Sequence, residues 1–205
     1  MQHCCGCKHD GAVDGPMAVL KQEHRVIERV LDAAERIIEE PAIDRGFFLS
    51  FVDFVRNFAD GCHHHKEEDQ LFPMLEQAGM LREGGPIGCM LDEHERGRTL
   101  IRAINEYLDA AVDGDESAAR TVRFATREYV ALLRMHIRKE DDVLFALADQ
   151  VLDPQRQAAL MARFDHVETV DNEPGKHGRY VALAEQLHRR AFAGAEAAQS
   201  CAVKS

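Results

Sequence analysis

Two segments of this chain carry the same pattern of metal-binding side chains. His63-His64-His65-Lys66-Glu67-Glu68-Asp69-Gln70-Leu71-Phe72 is echoed by His136-Ile137-Arg138-Lys139-Glu140-Asp141-Asp142-Val143-Leu144-Phe145. Both read HxxxE, with Leu-Phe beginning four residues after the glutamate. An isolated Glu-His pair lies upstream of each copy, Glu23-His24 and Glu93-His94. Residues four apart on a helix lie one above the other. His63 with Glu67, and His136 with Glu140, can therefore each aim an imidazole and a carboxylate at one point.

The register needs a choice, because His64 and Glu68 have the same spacing. Glu67 and Glu140 both precede their Leu-Phe by four residues, whereas Glu68 precedes it by three. The comparison selects His63 and Glu67, with His64 turned about 100° away around the helix and His65 about 200°. Four histidines and two acids on apolar stripes are costly to bury unless something satisfies them, and a pair of divalent or trivalent cations would do so. Mixed imidazole and carboxylate donors suit iron, manganese or zinc better than calcium or magnesium. Two six-coordinate ions offer roughly twelve positions, of which bridging carboxylates, four histidines and a bridging oxo or hydroxo group fill all but about two.

The elements that must position these residues read as helices, with almost no strand-like alternation. The first is expected from Pro16 to Glu40, with His24 in a stripe of Met17, Leu20, Ile27, Leu31, Ala34 and Ile38. The second, from Asp44 to Ala78, carries Phe48, Val52, Val55 and Ala59 on the face of His63 and Glu67. The third, from Ile87 to Val112, sets Met90, Leu91, Ile101, Ile104 and Leu108 around His94. The fourth, from Glu116 to Val151, aligns Val122, Ala125, Tyr129 and Leu132 with His136 and Glu140. A shorter helix begins at Asp153-Pro154 and reaches Val167, and a last one runs from Lys176 to Ala193. The expected fold is all-α: an antiparallel up-down four-helix bundle over residues 16–151, a C-terminal helical pair over 152–205, and a short Cys-rich tail over 1–15.

Composition narrows the partners. A formal net charge of −11 over 205 residues argues against a nucleic-acid or anionic-membrane surface. No apolar run approaches membrane-spanning length, and the first twenty residues lack a basic stretch followed by an apolar one. Six cysteines, three crowded near the N-terminus and three scattered, do not form the framework of a disulfide-rich domain, so a cytoplasmic, reduced setting is expected. Cys4, Cys5 and Cys7 lie in a tail too short for its own core. They are expected to be flexible, with adventitious metal binding, a thiol relay or a protein client as their functional alternatives. Tyr129, two turns before His136 on the same stripe, reads as a core tyrosine with a satisfied hydroxyl, with a hydrogen bond to a ligand or binding to a metal as the alternative, and Cys62 and Cys89 read as small packed residues. His166, His177 and His188 read as solvated or capping residues.

The segments HHHKEEDQLFP and HIRKEDDVLF resemble the signature of hemerythrin-like, HHE-type cation-binding proteins, over roughly Pro16 to Gln150. The resemblance implies a non-haem di-iron centre, carboxylate- and oxo- or hydroxo-bridged, on His24, His63, Glu67, His94, His136 and Glu140, with manganese or zinc as alternative metals. Oxygen-carrying members use five histidines with two carboxylates, and four histidines are evident here. The four-histidine pattern is more similar to bacterial relatives linked to nitric-oxide or peroxide response and to repair of iron–sulfur centres. The implied ligand is a small diatomic molecule or peroxide, and the implied activity, if enzymatic, is that of a di-iron oxidoreductase. A non-enzymatic iron or oxygen sensor, or an iron-storage protein, is the alternative.

Overall fold

A computed structural model describes residues 15–202, without the side chains of Asp171 and of residues 194–202. The tail cysteines Cys4, Cys5 and Cys7 lie outside the described residues. Among these residues the chain is all helical: α1 (Pro16–Ile37), α2 (45–77), α3 (Pro86–Val112), α4 (116–151), α5 (154–171) and α6 (Lys176–Ala202). No helix is long and apolar enough to cross a membrane.

Local chemistry fixes the helix starts. Pro16 opens α1 after Gly15, whose φ of 96° only glycine adopts without strain. Asp44 accepts from the Phe47 amide, Asp115 from those of Ser117 and Ala118, and Asp153 from that of Arg156. Helix α1 ends at Ile37 rather than Glu40, because Glu39 and Glu40 switch to tighter bonds with the Arg36 and Ile37 carbonyls before Pro41. Helix α6 continues past Ala193 to Ala202.

Helices α1 to α4 form the up-down bundle: α3 packs along α4, α2 against α3, and α1 against α4. Helix α6 lies along α1 and crosses α2, while α5 touches α1 and the later part of α2. Two apolar cores result. One joins Ile27, Leu31, the fully buried Phe47, Phe48, Phe51, Phe54 and Phe58, Ile101, Ile104, Val122 and Tyr129, and takes Tyr180, Ala184 and Leu187 from α6. The other joins Met17, Leu20, Leu71, Phe72, Leu75, Ile87, Met90, Leu144 and Phe145, and takes Leu160 and Phe164 from α5. Each fully buried large side chain contributes about 1.5–3 kcal/mol.

Along every bundle helix a polar stretch separates these cores. Leu20 and Ile27 flank Glu23 and His24; Ala59 and Leu71 flank His63, His64 and Glu67; Met90 and Ile101 flank His94; Leu133 and Leu144 flank His136 and Glu140. The apolar cores hold four helices in register around one buried polar layer.

Helices α2 and α4 widen to π-helical turns as they pass this layer, at Val55–His64, Glu67–Leu71 and Glu140–Leu144. The Phe72 amide donates to the Glu67 carbonyl, and Phe145 to Glu140, which is the five-residue π bond in both motif copies. The repeated Leu-Phe offset is the sequence mark of this turn.

Candidate metal centre

The six residues singled out from sequence all reach the polar layer, and all are buried: His24 on α1, His63 and Glu67 on α2, His94 on α3, His136 and Glu140 on α4. They form two overlapping groups whose donor atoms lie within 4.8 Å of one another: His24, His63, Glu67 and Glu140, and His64, Glu67, His94 and His136. The carboxylates stand between the groups. Glu140 Oε2 is 3.2 Å from both His24 Nε2 and His136 Nε2. Glu67 places Oε1 3.4 Å from His63 Nε2 and Oε2 3.5 Å from His94 Nε2.

His64, which helical geometry turns away from the site, is brought into the second group. Its ring stacks on that of His94 with centroids 3.8 Å apart. The physical reason is the π-helical stretch Val55–His64, which takes more residues per turn and so reduces the angle between consecutive side chains. His63 and His64 thus both face inward, and the layer holds five histidines rather than four.

Every one of the five is tethered at Nδ1 by a carboxylate: His24 by Asp141 at 2.8 Å, His63 by Glu23 at 2.9 Å, His64 by Asp60 at 3.3 Å, His94 by Glu68 at 2.6 Å and His136 by Glu93 at 3.0 Å. With Nδ1–H donated outward, each ring presents the lone pair of Nε2 to the centre. The pattern repeats with the motif. The glutamate before each lone histidine, Glu23 or Glu93, holds the HxxxE histidine and also accepts from a lysine, Lys66 or Lys139. The acid after each HxxxE glutamate, Glu68 or Asp141, holds the lone histidine of the other half. Both lysines and all four acids occupy matching motif positions, a signal that reading for ligands alone passes over.

The interior of this cage is electrostatically incomplete. His24 Nε2, His64 Nε2 and both oxygens of Glu67 and Glu140 are buried with no hydrogen-bond partner. His94 Nε2 and His136 Nε2 face one another at 3.0 Å, although both rings have committed their Nδ1 hydrogen outward. Lone pairs and carboxylates aimed at one volume repel unless a cation lies between them. Burial, reinforced by the charge of Glu140, pushes the Glu67 carboxyl well above its usual range. Burial also lowers His63 to about 4 and keeps it neutral, as a metal ligand must be. Glu23 and Glu93 resist burial and stay near 2, held down chiefly by Lys66 and His63 on the first and by His136 and Lys139 on the second. The donor set fits metal cations: imidazole Nε2 atoms and carboxylates converge without hydrogen-bond partners inside, and anions tether the rings from outside.

The C-terminal helices reach the same shell. Lys66, fully buried, bridges Glu23 on α1 and Glu168 on α5. His177 on α6 lies 3.1 Å from Glu168 and 3.7 Å from Glu23, so it is a half-buried partner and not a solvated residue. Cys62, buried as expected, faces Glu168 at 3.6 Å. Glu23, Cys62, Glu168 and His177 also have metal-ligand types and spacing, but the Lys66 ammonium already supplies their cation. Two other expectations change. Cys89 is exposed rather than packed, and the Tyr129 hydroxyl is buried without a partner.

A pH dependence follows. Burial raises Glu168, but His177 and Lys66 outweigh it and hold the carboxyl down at about 2. Its stabilisation is therefore fully present above 4.5, the ordinary value, and fades as pH falls toward 2. Hydrogen exchange is expected to show α6 amides losing protection in this window before those of α3 and α4. Glu168→Gln should show that loss already at pH 6. Equal protection of α6 in the variant and the parent at pH 6 would refute the link.

Comparison with known proteins agrees with this geometry. The family model described as the hemerythrin HHE cation-binding domain matches residues 15–148. An uncharacterized protein of Mycobacterium bovis and two of Mycobacterium tuberculosis strains are each 27% identical over 165 residues, covering 78% of this chain and 61% of theirs. The chain thus spans about three-fifths of the length of these relatives. No solved structure matches. With the family model covering most of the chain and its buried histidines and glutamates gathered in one layer, the protein belongs to the hemerythrin HHE cation-binding family.

Proposed function

We propose that the chain is a non-haem di-iron protein that binds or reacts with a small oxidant: dioxygen, nitric oxide or peroxide. In this reading residues 16–151 hold the metals, and the helices that follow residue 152 brace one side of the bundle. His24 and His63 would hold one ion, His64, His94 and His136 the other, with Glu67 and Glu140 shared between them. Adding His64 to the ligand set leaves about one of the roughly twelve positions open, a more closed centre than four histidines would give. Iron, when bound, would supply the electrons for reduction of the oxidant. The chain's own part is to hold five Nε2 atoms inward through their carboxylate tethers, to keep those rings basic, and to exclude water with an apolar core on either side.

The observation that carries the proposal is the set of six buried, partnerless donor atoms on His24, His64, Glu67 and Glu140. Elemental analysis of tag-free protein, purified without added metal, tests it. About two irons per chain are expected, with a marked loss in a His63→Ala/His136→Ala double variant. Absence of metal even after anaerobic reconstitution with ferrous iron would refute the reading. The placement of the polar layer between two cores also favours a sensor, in which metal loading stiffens the bundle. Metal-dependent protease resistance without turnover of oxidant would select that reading.

A further inference from the structure

Helix α4 turns His136 and Glu140 to the buried layer, and along its opposite, solvent-facing side run Phe124, Ala131 and Met135. Phe124 is 63% and Met135 55% exposed. At about 100° per residue, these three and the exposed charges Arg120, Arg138 and Asp142 fall within about 40° of one line down the helix. Charges to either side of that line are spent within the protein. Arg134 pairs with Asp32 and Glu35 on α1, Arg127 with Glu39, and Lys139 with Glu93 on α3. Arg120, Arg138 and Asp142, on the line itself, form no ion pair among the described residues.

The order of these side chains is self-complementary. A two-fold axis through Ala131 places residues equally far on either side of it opposite one another. Arg120 and Asp142 each stand eleven residues from Ala131, and Phe124 and Arg138 seven. An antiparallel copy therefore sets Arg120 against Asp142 and the Arg138 guanidinium against the Phe124 ring, each twice, with no like charges opposed. A parallel copy would instead oppose Arg120 to Arg120 and Asp142 to Asp142. With only a methyl group at the axis, Ala131 lets the two helices approach closely. The Arg120–Asp142 contacts then lie about 16 Å from the axis, within reach at a shallow crossing of about 20° but not at a steep one of about 50°.

We propose that this face of α4 is the docking surface for a second copy of the chain, packed antiparallel about a two-fold axis at Ala131. The surface is one helix wide, so the dimer belongs to the small-interface class, and a dissociation constant on the order of 10 µM is expected. Association uses none of the metal ligands and stands apart from the di-iron reading.

Sedimentation velocity of the full, tag-free chain under reducing conditions, from about 1 to 300 µM, tests this, and a monomer–dimer equilibrium is expected. Ala131→Arg brings two guanidinium groups together at the axis and should weaken association at least about tenfold, with the circular dichroism spectrum unchanged. Arg120→Asp and Asp142→Arg each oppose like charges and should each weaken it about tenfold. An equimolar mixture of these two single variants should form a heterodimer as tight as the parent, because both charge pairs are restored in reversed sense. This mixture decides the matter if Ala131→Arg folds poorly. A chain that stays monomeric throughout overturns the proposal and leaves the face to a partner of other chemistry. A dimer that folded Ala131→Arg leaves intact overturns it as well, as does a mixture that associates no better than its components.

Discussion

Replacing Glu67 by Met is expected to move metal binding and stability in opposite directions. Iron should fall from about two per chain to one or none, because Glu67 is the one side chain among the described residues that belongs to both groups. Under chelation the variant should nonetheless be the more stable protein. Glu67 and Glu140 are fully buried, and none of their four carboxylate oxygens has a hydrogen-bond partner. Exchanging a buried polar group without partners for an apolar one of similar volume removes a desolvation penalty of about 1–3 kcal/mol. In a chain of this size each kcal/mol raises the midpoint by about 2–4 °C. Thermal melts with and without chelator, beside elemental analysis, read both effects. A chelated variant that melts below the chelated parent would show that Glu67 has a partner in the metal-free protein and is not a poised ligand.

The second large effect is expected at Lys66, through an asymmetry between the two halves of the site. Lys66 and Lys139 occupy matching motif positions and each donates to the glutamate that holds an HxxxE histidine. Lys139 is 36% exposed, whereas Lys66 is 0% exposed beneath α5 and α6, with its ammonium 5.9 Å over the Phe164 ring. Lys66→Met would take the ammonium from the buried Glu23 and the partly buried Glu168, leaving His63 and His177 as their partners, at a cost of about 3–5 kcal/mol. Lys139→Met breaks a partly solvated pair and should cost about 1 kcal/mol or less. Since Glu23 also orients His63, the Lys66 variant should lose metal affinity by about 10–100-fold. Urea denaturation of both variants checks the contrast. Equal losses would mean that the cover provided by the C-terminal helices carries no energetic weight.

Much of the fold and the outline of the site are legible in the chain itself, because they depend on local geometry. Apolar periodicity, Asp and Pro at helix starts, and Gly or Pro between segments place the helices within a few residues, apart from the longer α6. The four-residue step from His63 to Glu67 and from His136 to Glu140 is a property of one helix, so it can be read without knowing what the helix packs against. The repeat then brings His24 and His94 into the same picture. What the chain alone does not reveal depends on how one helix is rotated against another. His64 faces inward only because α2 opens into a π-helical stretch, which a regular helical wheel misplaces. The tethers run between helices, from Glu23 to His63, Glu68 to His94, Glu93 to His136 and Asp141 to His24. Glu168 meets Lys66 across about half the chain, His177 joins them through Glu168 and Glu23, and the Tyr129 hydroxyl is left without a partner by packing alone. Local spacing set which side chains could bind metal; the crossing of the helices decided which carboxylates hold them and which lysine is sealed from water.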